Sequence, residues 1–183
     1  MSTQTDLAKI ECLKEQIFAM SNEHCFIEKE RFIAGLEPCD EKPSDYFATM
    51  LASLLDCVST PVCENDIFVG RVVEDMPDPG MQCPTKVLFA KGHLIPDYAR
   101  LLTKGYGGVL REIKANAERI GTDTARHYAE NAEIVTNAVR RFAARYAEAA
   151  REKGMMRAYE ALCRVPYEPA YDLYSALQSM WIY

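Results

Sequence analysis

The most regular stretch of the sequence is TDTARHYAENAEIVTNAVRRFAARYAEAAREK, residues 122–153. Its apolar residues recur at alternating steps of four and three, at Tyr128, Ala132, Val135, Val139, Phe142, Tyr146 and Ala149. This spacing predicts one helix of about 30 residues, about 45 Å from end to end. These seven residues form a seam along one side of the helix. Because small alanines and large aromatic residues share this seam, its composition favours an irregular helical core, with a dimeric coiled coil as the alternative.

Helical periodicity also covers much of the remaining chain. It predicts a first amphipathic helix over residues 7–20, and a second that Ser21 or Asn22 can cap and that carries residues 25–36. A third helix opens at residues 43–45 and carries residues 46–58. A last helix is predicted to start at residues 169–170 and to run to the end of the chain.

One segment departs from this helical pattern. The run IFVGRVV, residues 67–73, predicts a short strand, and residues 75–84 predict a surface loop because they hold three prolines and no periodicity. We therefore expect a mainly α chain with one or two short strands. Its expected regions are a helical 1–63, a strand and loop region 64–98, and a helical 99–183 with the long helix at about 122–153.

Composition excludes several classes of protein. The chain is 49% apolar and 26% charged, as in folded soluble domains. No basic and apolar leader opens it, and its longest apolar stretch, residues 47–55, is far shorter than the ~20 residues of a membrane span. We expect a cytoplasmic protein that binds no membrane. Residues 81–183 are basic, with 11 acids and 15 bases, but their arginines alternate with glutamates at helical spacing. This pattern indicates a solvated helix surface rather than a nucleic-acid site.

Cysteine usage points to a reducing compartment. The seven cysteines are widely spaced and form no C-x-x-C motif. An odd number without paired spacing favours reduced thiols over a disulfide framework or a zinc site. The sequence therefore predicts no metal centre.

The final residues, Met180, Trp181, Ile182 and Tyr183, are all apolar or aromatic. No glycine, lysine or polar stop follows that could cap the last carbonyls of the predicted helix. This pattern predicts a helix end that is covered by something else. We expect that cover to be the remainder of a larger protein, or a second copy that associates through these four residues.

Four short stretches occur in order across residues 64–183. They are ENDIFVG at 64–70; GHLIPDY at 92–98 with GYGG at 105–108; FAARYAE at 142–148; and VPYEPA at 165–170 with SALQ at 175–178 and Trp181. Together they resemble the pyruvate formate-lyase-like domain of glycyl radical enzymes, and residues 1–63 fit the helical N-terminal region of that family. One departure is Ser175, which stands where the family motif has a glutamate.

The resemblance implies an enzyme many hundreds of residues long, built around a ten-stranded β/α barrel. In that family a radical on a C-terminal glycine passes to a cysteine inside the barrel, after a radical S-adenosylmethionine activase has installed it. This sequence contains neither the Gly-Cys-x-Glu-like loop nor the Arg-Val-x-Gly-Tyr motif. The resemblance therefore implies no catalytic residue and no cofactor in this chain, which matches about the first quarter of the family pattern.

The resemblance implies that two residues contact substrate. His93 would hydrogen-bond a substrate hydroxyl or carboxylate, since imidazole can both donate and accept near neutral pH. Asp97 could assist it from four residues further on. The structural alternative is that Asp97 caps the helix that begins there and that His93 holds the preceding turn.

Two functional interpretations follow. The first is an N-terminal fragment or subunit of a glycyl radical enzyme, of the formate acetyltransferase, dehydratase or lyase type, which acts as scaffold and as one wall of the substrate pocket. The second is a non-catalytic helical interaction protein that uses the long helix and the apolar C-terminus. A small standalone lyase is a third and weaker hypothesis. None of these interpretations identifies the substrate.

Overall fold

The computed structural model describes residues 44–63, 66–70 and 96–182, together with residues 7–8, 10–11, 14–15, 32 and 35. The described part contains five bounded helices and no strand, which confirms the mainly α prediction. They are α1 (Tyr46–Cys57), α2 (Tyr98–Ile120), α3 (Asp123–Glu152), α4 (Met156–Leu162) and α5 (Leu173–Ile182). Of the first predicted helix, each described residue over 7–15 is helical; of the second, only residues 32 and 35 are described.

Helix α3 is the centre of the fold and contacts α1, α2 and α4. It begins where the sequence predicts, because the Thr122 hydroxyl accepts a hydrogen bond from the Ala125 amide at 3.2 Å. Its buried face is centred on Phe142 and Tyr146, whose rings meet edge to face at 5.1 Å. The predicted seam is wrong at its start, since Tyr128 is 65% exposed. The adjacent Ala129 is buried instead, so the buried side of α3 is offset from the predicted seam at this end.

Two arginines of α3 hold the C-terminal end of α1. The Arg145 guanidinium donates to the carbonyls of Leu55 at 2.8 Å and Asp56 at 3.1 Å, and also to that of Val58. These are carbonyls that a helix end leaves without an internal partner. Arg141 forms a two-point ion pair with the Asp56 carboxylate, which lowers the pKa of that carboxyl. The arginine of the FAARYAE stretch is therefore a capping residue.

We expect Arg145→Met to lower the free energy of unfolding by about 2 kcal/mol, because charged hydrogen bonds to helix-end carbonyls are lost. Urea unfolding followed by circular dichroism measures the change. The matched control is Arg151→Met on the same helix. Arg151 pairs with exposed Glu148 within α3, so we expect a much smaller change. Equal effects of the two substitutions would contradict the capping role.

The strand predicted over residues 67–73 is wrong in its described part. Residues 67–68 form a bend, residues 69–70 have no strand partner among the described residues, and residues 71–73 lie outside them. The physical reason is that side chains of α5 hydrogen-bond to the backbone of this segment. The loop predicted over residues 75–84 also lies outside the described residues.

The last helix begins at Leu173 rather than at residues 169–170. The Asp172 carboxylate accepts a hydrogen bond from the Ser175 amide at 2.7 Å, and the Ser175 hydroxyl accepts one from the Asp172 amide at 2.9 Å. This reciprocal pair starts the helix four residues after Pro169. Residues 166–170 instead lie against α2.

Candidate functional site

The predicted substrate wall is described only from Pro96 onward, so His93 lies outside the described residues. Asp97 is exposed and is the N-cap of α2. Its carboxylate accepts a hydrogen bond from the Arg100 amide at 3.0 Å, and its carbonyl accepts one from the Leu101 amide at 3.0 Å. The geometry therefore gives Asp97 the capping role considered from the sequence. Contact of His93 and Asp97 with a substrate stays a prediction.

Helix α2 is broken at Gly105, which has φ +62° and ψ 170°. The break removes regular helical bonding on both sides, and the segment 166–170 replaces it. The Tyr106 amide donates to the Pro166 carbonyl at 2.9 Å, and the Gly107 amide donates to the Tyr167 carbonyl at 2.9 Å. In the opposite direction the Ala170 amide donates to the Leu102 carbonyl at 3.0 Å. Two of the stretches singled out in the sequence, GYGG and VPYEPA, therefore bind each other.

Only glycine fits at this junction. A Cβ atom on Gly105 would lie 2.3 Å from the Tyr167 carbonyl oxygen and 2.6 Å from the Glu168 carbonyl carbon. These are backbone atoms that cannot rotate away. A Cβ on Gly107 would lie 2.8 Å from the Tyr167 ring. Both glycines thus allow the close approach of another stretch of backbone.

A cluster of charges spans the break. The Glu112 carboxylate, in the second part of α2, contacts both Arg100 and Lys104 in the first part. The two hydrogen bonds lower the pKa of Glu112 to about 2, against an ordinary 4.5. A lowered pKa means that the ion pairs favour the folded state above pH of about 4.5, and that this contribution is lost as the pH falls through about 2.

A second pair of motif stretches meets at α5. The side-chain amide of buried Gln178 donates to the Val69 carbonyl at 2.6 Å and accepts from the Val69 amide at 2.9 Å. The Tyr174 hydroxyl donates to the Ile67 carbonyl at 2.9 Å, and the Trp181 indole donates to the Gly70 carbonyl at 3.3 Å. Three side chains on one face of α5 therefore bind the segment 66–70. In the sequence, only the helical spacing of residues 174, 178 and 181 indicates that these three side chains lie on the same face of the helix.

Two described residues that hydrogen-bond to each other, Cys63 and Asp66, have perturbed titratable groups. The Asp66 carboxylate accepts a hydrogen bond from the Cys63 amide at 2.8 Å, and burial raises the pKa of Asp66. Burial, and then the charge of Asp66, raise the pKa of the Cys63 thiol. A raised pKa keeps the thiol protonated, so Cys63 is a poor nucleophile. We therefore read the Cys63–Asp66 contact as structural.

One cleft of about 240 Å³ lies between α3 and residues 162–168. At the edge of this cleft the Arg140 guanidinium lies 4.5 Å from the centre of the Tyr167 ring, and Arg164 pairs with Glu168 at 2.9 Å. Three alanines and charged residues of both signs line the cleft. Elsewhere in the described ranges, no three His, Cys, Asp or Glu residues come together to hold a metal ion. No helix there is long and apolar enough to cross a membrane.

The apolar face of α5 differs from the predicted C-terminal patch. Ile182 is only 8% exposed and belongs to the hydrophobic core with Val69 and Tyr146, so it is not available for association. Tyr183 lies outside the described residues. Met180 and Trp181 are exposed, as predicted, and Leu173 and Leu177 extend the patch along the helix. We call these four residues, 173, 177, 180 and 181, the α5 face.

Comparison with known proteins identifies the family of this chain. The family model described as pyruvate formate lyase-like matches residues 84–183, which is more than half of the chain. Comparison with curated proteins returns no match. The matched region contains the broken helix α2, the long helix α3 and the α5 helix that binds residues 66–70. The chain belongs to the pyruvate formate lyase-like family.

Proposed function

We propose that this chain is the N-terminal helical portion of a glycyl radical enzyme, in which it acts as scaffold and supplies one wall of the substrate pocket. Family membership supports the enzyme class. The observation that carries the scaffold role is the docking of the motif stretches on one another, GYGG on VPYEPA and residues 66–70 on α5. The motifs are held mainly by hydrogen bonds to backbone groups, as a scaffold requires.

The residues of this chain support binding rather than a radical step. None of its seven cysteines follows a glycine, and it has no Arg-Val-x-Gly-Tyr motif. In this proposal His93 hydrogen-bonds a substrate hydroxyl or carboxylate, and Asp97 assists it. The thiyl cysteine and the radical glycine lie in the remainder of the enzyme, where a radical S-adenosylmethionine activase acts. The chain itself binds no cofactor and works in the cytoplasm.

The α5 face supports contact with that remainder. Its residues, 173, 177, 180 and 181, follow helical steps of four, three and one, so they lie on one side of α5. Leu173 is 76% exposed and Trp181 is 51% exposed. Adjacent large apolar side chains at this exposure mark interaction surfaces in folded proteins. Ile67, whose carbonyl accepts a hydrogen bond from Tyr174 of α5, is also exposed.

The proposal is tested on the native protein. The chain is isolated from its source cells under anaerobic conditions with an antibody, and the isolated material is sequenced by peptide mass spectrometry. We expect peptides with the Gly-Cys and Arg-Val-x-Gly-Tyr motifs, in the same polypeptide or in a bound one. We also expect a glycyl radical signal by electron paramagnetic resonance after activation. The 183-residue chain alone should give no such signal. Isolation without those peptides would contradict the proposal.

The contact is tested with the double variant Leu173→Lys and Leu177→Lys. Because each lysine places a charge in the α5 face, we expect at least a tenfold loss of binding to the remainder of the enzyme, measured by biolayer interferometry. The control is Tyr128→Lys, which places a charge at a comparably exposed position on α3. If the control weakens binding as much, the α5 face is not the contact.

A non-catalytic interaction protein is the second candidate, since the exposed α5 face also favours self-association. It predicts that the purified chain dimerises at micromolar concentration. It also predicts that the lysine double variant is monomeric by analytical ultracentrifugation. A wild-type monomer at these concentrations would exclude the self-association form of this candidate.

A further inference from the structure

Helix α2 consists of two segments that meet at Gly105. The first, residues 98–104, begins at Asp97 and carries Arg100 and Lys104. The second, residues 106–120, carries Glu112. The first segment is too short to be stable as a helix by itself, because isolated helices below about 12 residues are marginal. Its direction therefore depends on contacts with the rest of the fold.

The contact of Glu112 with Arg100 is possible only when α2 is bent. In a straight helix each residue rises 1.5 Å, so Lys104 and Glu112 would be about 12 Å apart along the axis, and Arg100 and Glu112 about 18 Å. Arginine and glutamate side chains together do not span about 18 Å. Yet one Glu112 carboxylate contacts both cations. The break at Gly105 turns the first segment back toward the second, and the charge cluster exists only in that arrangement.

Gly108 makes room for this cluster. A Cβ atom at Gly108 would lie 2.9 Å from the Cβ of Lys104. The lysine therefore lies against the backbone of the second segment on its way to Glu112. The same bent arrangement is supported from the other side, where the Ala170 amide binds the Leu102 carbonyl.

We propose that Glu112 is a positioning residue, which holds the first segment of α2 in its bent arrangement and so fixes where Asp97 lies. Glu112 acts through Arg100 and Lys104, not by contact with a substrate. The consequence for substrate binding rests on the proposed function, in which Asp97 borders the pocket. Arg100, Lys104 and Glu112 form what we call the clamp. The existence of the clamp does not depend on the proposed function.

Hydrogen–deuterium exchange on the intact chain tests the clamp, with mass spectrometry of peptides over residues 96–120. We expect Glu112→Gln to speed exchange of the amides of residues 101–104 by roughly three- to tenfold, the effect of losing a two-cation network. Exchange over residues 110–120 and in α3 should stay unchanged, and the melting temperature should shift little. Unchanged exchange at residues 101–104 would overturn the proposal.

Two further variants separate positioning from general stability. Glu133→Gln removes a carboxylate of similar exposure that pairs with Lys114 between α2 and α3, and we expect no change at residues 101–104. The charge swap Arg100→Glu, Lys104→Glu and Glu112→Arg keeps opposite charges across the break, and we expect slower exchange than in Glu112→Gln. If the swap behaves like Glu112→Gln, the clamp is not electrostatic. A failed isolation of the radical motifs would refute the proposed function and leave these results standing.

Discussion

Gly105→Ala is expected to lower the free energy of unfolding by about 4 kcal/mol, or to prevent folding at physiological temperature. The φ of +62° with ψ of 170° is a region that only glycine occupies readily, which costs about 1–3 kcal/mol for alanine. The new methyl group would also lie 2.3 Å from the Tyr167 carbonyl oxygen, so the segment 166–170 has to move. Moving it breaks the three backbone hydrogen bonds that replace the helical ones. Urea unfolding followed by circular dichroism measures the loss.

Gly154→Ala is the matched control. Gly154 has a similar φ of +73°, but no atom lies within 4 Å of the position that a methyl group would take there. The control isolates the conformational cost, about 1 kcal/mol. The difference between the two variants is then the cost of displacing residues 166–170 together with the extra strain of alanine at the ψ of 170° found at Gly105. If Gly105→Ala is as mild as Gly154→Ala, the close approach of the two motif stretches is not what stabilises the break.

Gln178→Met is expected to cost about 3 kcal/mol. Gln178 and Val69 are both fully buried, and the two hydrogen bonds of the glutamine amide satisfy the amide and carbonyl of Val69. Methionine has a similar shape but no such groups, so two buried backbone groups lose their partners at about 1–3 kcal/mol each. Chemical denaturation gives the overall change. Hydrogen exchange at the Val69 amide gives the local one, which we expect to be at least tenfold faster.

Trp181→Phe serves as control for this second variant. Its indole donates one long hydrogen bond, 3.3 Å, to the Gly70 carbonyl from an exposed position, so its loss should cost below about 1 kcal/mol. Retained protection of the Val69 amide in Gln178→Met would show that another group binds this backbone. The side-chain binding of residues 66–70 would then need a different explanation.

The helical periodicity of the sequence predicted the helices whose ends are set by neighbouring residues. Helix α3 spans residues 123–152, against an expected 122–153, because Thr122 caps it and its apolar spacing continues without interruption. Helix α1 also begins near its expected start. Burial along α3 was less predictable: Tyr128 fits the seam yet lies in solvent, because burial needs a neighbouring element that the spacing cannot supply.

The candidate site was predicted only in outline. The motif stretches identify the family, and the capping alternative for Asp97 was available from its position before a helix. Gln178 belongs to the SALQ stretch and Glu112 to no motif stretch, but the sequence indicates the binding partner of neither residue. Their roles come from contacts with distant groups. The bend in α2 brings Arg100 and Lys104 close to Glu112, and the fold brings Val69 close to Gln178. The amino-acid composition gives no information on the contacts of these two residues.

By itself, the sequence determined that this chain is mainly helical, where its long helix lies, and to which family it belongs. Those properties depend on residues within a few turns of one another, or on motif order along the chain. Tertiary structure decided that α2 bends at Gly105, that residues 67–70 are bound by α5 instead of a neighbouring strand, and that Ile182 is core. The reason is that each outcome depends on a partner far along the chain, 109 residues away for Val69 and Gln178. The conformational preferences of neighbouring residues do not indicate which distant group will form a hydrogen bond with a given backbone group.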